Sequence, residues 1–277
     1  MAETEARIDS GTVLEATGLC RSYGTVKAVD EVSFALAAGG SLGIVGESGS
    51  GKTTTARIVV GLERADRGQV LVHGRARPDR ARGRAQRLAR AREIQLVFQD
   101  PYLSLDPRTS VEGVLRETLR LHFPDTDHAA RIAELLDQVG LGTRAAGALP
   151  RQLSGGQRQR VAIARALAVQ PAVMVLDEAV AALDVSVQAQ VLNLLADIRE
   201  QTGIGYLFIT HDLGVVRCVT DQVIVMRRGR VVEAGRTAEV LADPQHPYTR
   251  LLLESVPRPS WDPARIAAAR RALAGAD

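Results

Sequence analysis

The run Gly46-Glu-Ser-Gly-Ser-Gly-Lys-Thr53 limits what this chain can fold into more than any other feature. Three glycines in eight residues suit neither a strand interior nor a helix interior. An apolar segment, Ser41 to Val45, leads into the run, and a helix-compatible stretch, Lys52 to Val60, leads out of it. Strand, glycine loop and helix in that order form a phosphate-loop unit. Its chemistry is local. Glycines let backbone N–H groups converge on phosphate oxygens, and the helix start adds partial positive charge. Lys52 is placed to meet the β- and γ-phosphates, and the Thr53 hydroxyl to ligate Mg2+. Gly46, Glu47, Ser48, Gly49, Ser50, Gly51, Lys52, Thr53 and Thr54 are therefore expected to hold ATP. Composition sharpens this reading, because 33 of the 35 basic residues are arginine and one of the two lysines stands where the phosphate needs it. Chance would supply ~0.002 such matches in this composition.

Three later segments are short, apolar and rich in β-branched residues: Ala172 to Leu176, Tyr206 to Thr210, and Gln222 to Met226. Helical stretches, Val187 to Arg199 and Leu213 to Cys218, lie between them, and such alternation implies an α/β fold with a parallel sheet. Short strands, Val13 to Ala16 and Val32 to Leu36, open the chain. From Val111 to Leu141 the pattern is helical, with Ile132, Leu135, Leu136 and Val139 on one face and Gly140 as the stop. Val173-Met-Val-Leu-Asp-Glu178 is an apolar strand ending in paired acids. Asp177 is expected to hold Mg2+ and Glu178 to polarise the attacking water, a role Asp177 cannot share while its charge is committed to the metal. In isolation the two acids could merely cap the next helix; behind a phosphate loop the chemical reading is the stronger.

The next motif, Leu153-Ser-Gly-Gly-Gln-Arg-Gln-Arg160, begins at a plausible helix start. Here the chain resembles the ATP-binding subunits of ABC transporters, whose signature is LSGGQ. The resemblance places Ser154, Gly155, Gly156 and Gln157 on the γ-phosphate of ATP held by the opposite subunit. It thus implies a head-to-tail dimer with an identical or paralogous partner. It runs from about Val13 to Ala242 with the motifs in family order. Gln99 matches the glutamine that contacts magnesium and water and links the site to the membrane subunits. His211 matches the switch histidine on the γ-phosphate, Asp184 the loop that crosses the dimer interface, and Tyr23 the aromatic that stacks on adenine. The implied catalytic set is Glu178, His211 and Gln99, and the implied metal ligands are Thr53, Gln99 and Asp177. The implied fold is a phosphate-loop ABC-type core with a parallel sheet, an N-terminal antiparallel β region and an inserted helical subdomain. In residue numbers, this is an ATP-binding domain over 1–242, with the helical subdomain at about 100–170, and a C-terminal extension over 243–277. One departure is Glu178-Ala-Val-Ala181, where many relatives carry Pro-Thr-Ser; it should alter loop rigidity slightly and leave Asp177 and Glu178 in place.

Within that family, Phe98-Gln-Asp-Pro-Tyr-Leu-Ser-Leu-Asp-Pro-Arg108, His246-Pro-Tyr-Thr249 and Leu251 to Pro257 look like oligopeptide, dipeptide and nickel uptake systems. The resemblance implies ATP hydrolysis coupled to import through two multi-spanning permease subunits, fed by an extracytoplasmic binding protein. The chain would then sit peripherally on the cytoplasmic face of the membrane. A reading from another class is a soluble ABC-type ATPase of phosphonate breakdown; DNA-repair and translation proteins of the family carry paired halves or inserted modules not seen here. No apolar run approaches the ~20 residues of a membrane-spanning helix. Two distant cysteines, Cys20 and Cys218, suggest neither disulfides nor a metal cluster. Eight arginines fall between Arg75 and Arg92, but without interleaved aromatics they read first as a solvated loop and helix and next as a membrane-proximal face, not as a nucleic-acid surface.

Overall fold

The computed structural model describes residues 11–77, 81, 83–99 and 105–255. Two sheets organise them. The first is antiparallel, with strands β1 (Thr12–Tyr23), β2 (Val26–Ala37), β4 (Arg67–Val72) and β5 (Arg75–Ala76) in the order β2-β1-β4-β5. β1 and β2 are far longer than the alternating runs that announce them. Register shifts at Ala16/Leu19 and Leu19/Arg21 interrupt the inside-outside alternation, so pattern alone sees only the regular fragments.

The second sheet has the order β10-β9-β3-β8-β7-β6, built from β3 (Ser41–Val45), β6 (Ile94–Val97), β7 (Val173–Asp177), β8 (Gly205–Thr210), β9 (Gln222–Arg227) and β10 (Arg230–Arg236). All neighbours are parallel except β9 and β10. β3 and β8 are buried at every position, which is why they read as unbroken apolar runs rather than alternating ones. Register does the rest: Val45 pairs with Thr210, Asp177 with Ile209, and Leu176 with Val97. The residues that follow β3, β8, β7 and β6 therefore emerge at one sheet edge, the usual ligand edge of parallel α/β sheets.

The helical stretch expected over Val111 to Leu141 is two helices, α3 (Val111–His122) and α4 (His128–Gln138). Pro124 lies in the break, and Asp127 restarts the chain by accepting from the Ala129 and Ala130 amides. With α5 (Gly155–Leu167) they enclose Leu115, Leu119, Leu135, Leu136 and Ile163. α1 (Lys52–Val60) follows the glycine loop, and α6 (Val185–Thr202) follows β7. α7 (Leu213–Val219), α8 (Thr237–Ala242) and α9 (Pro247–Glu254) complete the described residues. None of their helices is long and apolar enough to cross a membrane.

The arginine-rich helix α2 (Gly83–Glu93) buries none of its residues, as a solvated face should. Arg77, in the same run, departs from that expectation: its side chain is 4% exposed, and its Nε donates to Glu93 Oε2 at 2.9 Å. Burial pushes its pKa down. The residue is a strut from α2 to α1, where it also bonds the Val59 carbonyl. Pro101 to Ser104 and the alanine- and arginine-rich tail from 256 lie outside the described residues.

Candidate functional site

The glycine loop is walled by backbone. A Cβ at Gly46 would collide with the Met226 carbonyl oxygen, and one at Gly51 with that of Ala28, so these two positions admit no side chain. Lys52, 6% exposed, folds back over the loop, its Nζ donating to the carbonyls of Gly46 at 2.8 Å and Glu47 at 2.9 Å. Burial pushes its pKa down, against the opposing pull of Glu178, Asp177 and Glu47. Gly46 and Ser50 are buried, Thr54 is half-buried, and Glu47, Ser48, Gly49 and Thr53 face solvent.

Across the sheet edge, Asp177 ends β7. Burial pushes its carboxyl up and the Glu178 charge adds to this; Arg57, Lys52 and a hydrogen bond from the Thr53 hydroxyl pull the other way. Its Oδ1 is buried with no hydrogen-bond partner among the described residues. A buried carboxylate oxygen without a donor, beside a threonine hydroxyl, is a donor set that fits Mg2+, a hard cation that takes oxygen ligands.

Glu178 sits in the left-handed region at φ 49, a conformation that costs an ordinary residue of order 1–3 kcal/mol. Its amide is held by the Ile209 carbonyl at 2.8 Å, and its Oε1 lies 3.1 Å from His211 Nδ1. The two side chains thus meet although they lie 33 residues apart in sequence. In the following turn Ala179 and Val180 are buried in the helical core, so the departure from Pro-Thr-Ser puts apolar side chains where they pack. Gln99 stands exposed two residues beyond β6. Tyr23, 47% exposed, donates its hydroxyl to Glu63 and has the Arg21 guanidinium 5.0 Å from its ring centroid.

A second group forms around α5 and α6. Ser154 caps α5 through a reciprocal pair, its Oγ accepting from Gln157 N at 3.2 Å and its own amide donating to Gln157 Oε1 at 2.9 Å. The hydroxyl accepts in that pair, which leaves its proton to donate outward. Gly156 is buried against α6, where a Cβ would strike Val187; Gly155 is exposed. Asp184 caps α6, accepting from Val187 N at 3.0 Å and Ser186 Oγ at 2.7 Å, and these bonds hold its carboxyl below the usual range. Ser154, Gln157 and Asp184 make these bonds within their own turns. The structure thus brings Lys52, Thr53, Asp177, Glu178 and His211 together and sets Ser154 to Gln157 beside the Asp184 turn as a separate surface.

The model of the family described as "ABC transporter" matches residues 29–181. The chain belongs to the ABC transporter family. A second family model, "Oligopeptide/dipeptide transporter, C-terminal region", matches residues 232–274 of this ABC protein. An oligopeptide transport ATP-binding protein of Mycobacterium bovis is 49% identical over 94% of the chain and 41% of its own length. The chain thus spans about two fifths of that relative. A peptide import ATP-binding protein of Brucella abortus is 47% identical over 90% of the chain and 74% of its own length. Among solved structures, a dimeric ATP-binding cassette in a post-hydrolysis state with ADP and Pi superposes with a TM-score of 0.71 at 28% identity, over 81% of this chain and 98% of that one. The mixed α/β architecture is that of ABC ATP-binding domains.

Sequence reasoning missed the carbonyl walls at Ala28 and Met226, and Arg57 as a partner of Asp177. It also missed a hydroxyl on the loop itself: Tyr248 accepts from the Glu47 amide at 3.0 Å across 201 positions. No local signal announces such a pairing.

Proposed function

We propose that this chain is the ATP-hydrolysing subunit of an ABC importer, with peptides or nickel as cargo. The observation that carries the reading is the convergence, at one sheet edge, of a lysine over a glycine loop, a carboxylate with an orphaned oxygen and a glutamate bonded to a histidine. Gly46 to Thr54 hold the phosphates, and Tyr23 stacks on the base. Thr53, Asp177 and Gln99 would hold Mg2+, which would neutralise charge developing on the phosphates. Glu178 takes the proton of the attacking water, and His211, already bonded to it, sets its orientation. Asp177 would be a poorer base, its charge committed to the metal it would hold. Ser154 to Gln157 of a second subunit complete the γ-phosphate site across the Asp184 turn, so hydrolysis requires a head-to-tail dimer. Residues 1–242 form the ATP-binding domain, with the helical subdomain at about 100–170, and 243–277 form the C-terminal extension. Two membrane permeases and an extracytoplasmic binding protein complete the importer, which places the chain at the cytoplasmic face of the membrane.

The similarity of the C-terminal region to oligopeptide and dipeptide transporters supports the peptide branch over a soluble ATPase of phosphonate breakdown. The deciding experiment is affinity purification of the tagged chain from detergent-solubilised cells. Multi-spanning membrane proteins recovered in stoichiometric amount support the importer. A soluble lyase complex, or nucleic acid, recovered in their place overturns it.

A further inference from the structure

We propose that Tyr248, which reaches the phosphate loop from helix α9, is a positioning residue of the nucleotide site and sets the loop's affinity for ATP. The proposal rests on the reading of Gly46 to Thr54 as that site.

One peptide unit carries the argument. The bond between Gly46 and Glu47 presents its carbonyl to Lys52 Nζ at 2.8 Å and its N–H to the Tyr248 hydroxyl at 3.0 Å. An ammonium and a phenol thus hold the two ends of a single amide dipole, an arrangement in which each hydrogen bond strengthens the other. Gly46 cannot contribute a side chain to steady that peptide, because the Met226 carbonyl occupies the Cβ position. When Lys52 turns from the Gly46 carbonyl to a phosphate, the grip at the carbonyl end is released. Tyr248 still holds the amide end, and that amide opens the turn whose later N–H groups face the phosphates.

Tyr248 is itself rigidly placed. Its ring is 2% exposed and packs in the cluster that contains Val45, the last residue of β3. Its amide donates to His246 Nδ1 at 3.1 Å, and the Arg227 guanidinium lies 5.3 Å from its ring centroid. Glu233 of β10 fixes the approach to α9, accepting from the Gln245 amide at 2.7 Å and the His246 amide at 3.2 Å. A side chain anchored this heavily positions the loop rather than following it.

The test compares Tyr248→Phe, which deletes only the hydroxyl, with Leu252→Ala, which trims the packing of the same helix, in the full chain. Equilibrium dialysis with ATP and with ADP, both with Mg2+, reads the affinity; turnover reads KM and kcat. Tyr248→Phe is expected to weaken both nucleotides roughly threefold to tenfold, the effect of one net hydrogen bond, and to raise KM by the same factor with kcat unchanged. Leu252→Ala is expected to lower the Tm yet leave both affinities within about twofold of the parent. Unchanged affinity in Tyr248→Phe overturns the proposal. So does an equal loss of affinity in Leu252→Ala, which would assign the effect to helix packing. A parent chain that binds neither nucleotide would overturn the reading of the loop itself, and the proposal with it.

Discussion

The loop from Gly46 to Thr53 and the turn at Ser154 to Gln157 face phosphates in the proposed mechanism, yet the fold treats them differently. The loop is gripped from several directions: carbonyls of Met226 and Ala28 wall two of its glycines, the Gly229 amide holds the Ser50 carbonyl at 2.9 Å, and Tyr248 holds the Glu47 amide. Its lysine is folded inward onto its own backbone. The Ser154 turn is held by its own capping pair and, at Gly156, by α6. Close by in sequence to the Asp184 cap, Val185 is 84% exposed, a large apolar side chain left in water. One element is finished by its own chain; the other, in the proposed mechanism, is completed by a second subunit. Binding and turnover should therefore separate by mutation.

The largest separation is expected at Glu178→Gln. Turnover should fall by about 10²–10⁴-fold, the usual contribution of a positioned base, while ATP affinity stays near the parent value and the ATP-bound protein elutes as a dimer in gel filtration. Turnover at the parent rate would remove Glu178 from the mechanism. Gly51→Ala attacks the finished element. Its methyl group meets the Ala28 carbonyl at φ 104, and nucleotide affinity should fall about 100-fold in a fluorescence titration at concentrations where the chain is monomeric. Ser154→Ala attacks the open element. Monomer affinity should be unchanged and turnover roughly 10-fold lower, with about 1 kcal/mol of stability lost from the helix cap. If Ser154→Ala weakened monomer binding as much as Gly51→Ala, the two elements would belong to one site within one chain, and the comparison would collapse.

The same contrast explains what was legible in the sequence. The glycine loop was, because strand, loop and helix are contiguous and each residue type answers a neighbouring charge. β3, β7, β8 and β9 were, because burial on both faces leaves unbroken apolar runs. The two long strands β1 and β2 were only half visible, since bulges erase alternation. The break between α3 and α4 was hidden because helical periodicity resumes after Asp127, although Pro124 marks it locally. Pairings across long separations left no local trace: Glu178 and His211 shared a catalytic set by resemblance alone, and nothing joined Glu47 to Tyr248. The left-handed backbone at Glu178 was equally silent, for nothing in a glutamate announces positive φ. Arg77 shows the converse limit, since a run of arginines looks uniform while one member is buried as a strut.

The smallest expected effect concerns Asp177, across the sheet edge from the loop, before nucleotide arrives. Burial, reinforced by Glu178, raises the Asp177 pKa in the folded chain, so the folded state holds that proton more tightly than the unfolded state does. Between the ordinary carboxylate pKa and the raised one, the native state binds more protons, and stability falls as pH rises. Above the raised pKa the penalty is fully present. Asp177→Asn removes the charge while keeping the shape, so the nucleotide-free variant should melt a few degrees above the parent near pH 8. That advantage should shrink as the pH falls through the raised pKa toward the ordinary carboxylate range. Adding ATP with Mg2+ should reverse the order, because the parent gains binding energy at the Asp177 oxygen that the amide cannot supply. Paired scanning calorimetry of the two proteins, with and without ATP and Mg2+, checks both signs. A variant that melts below the parent without nucleotide would mean that the Asp177 carboxylate is already satisfied in the empty site. The site would then be finished even at its metal position, and Asp177 would have no reason to wait for magnesium.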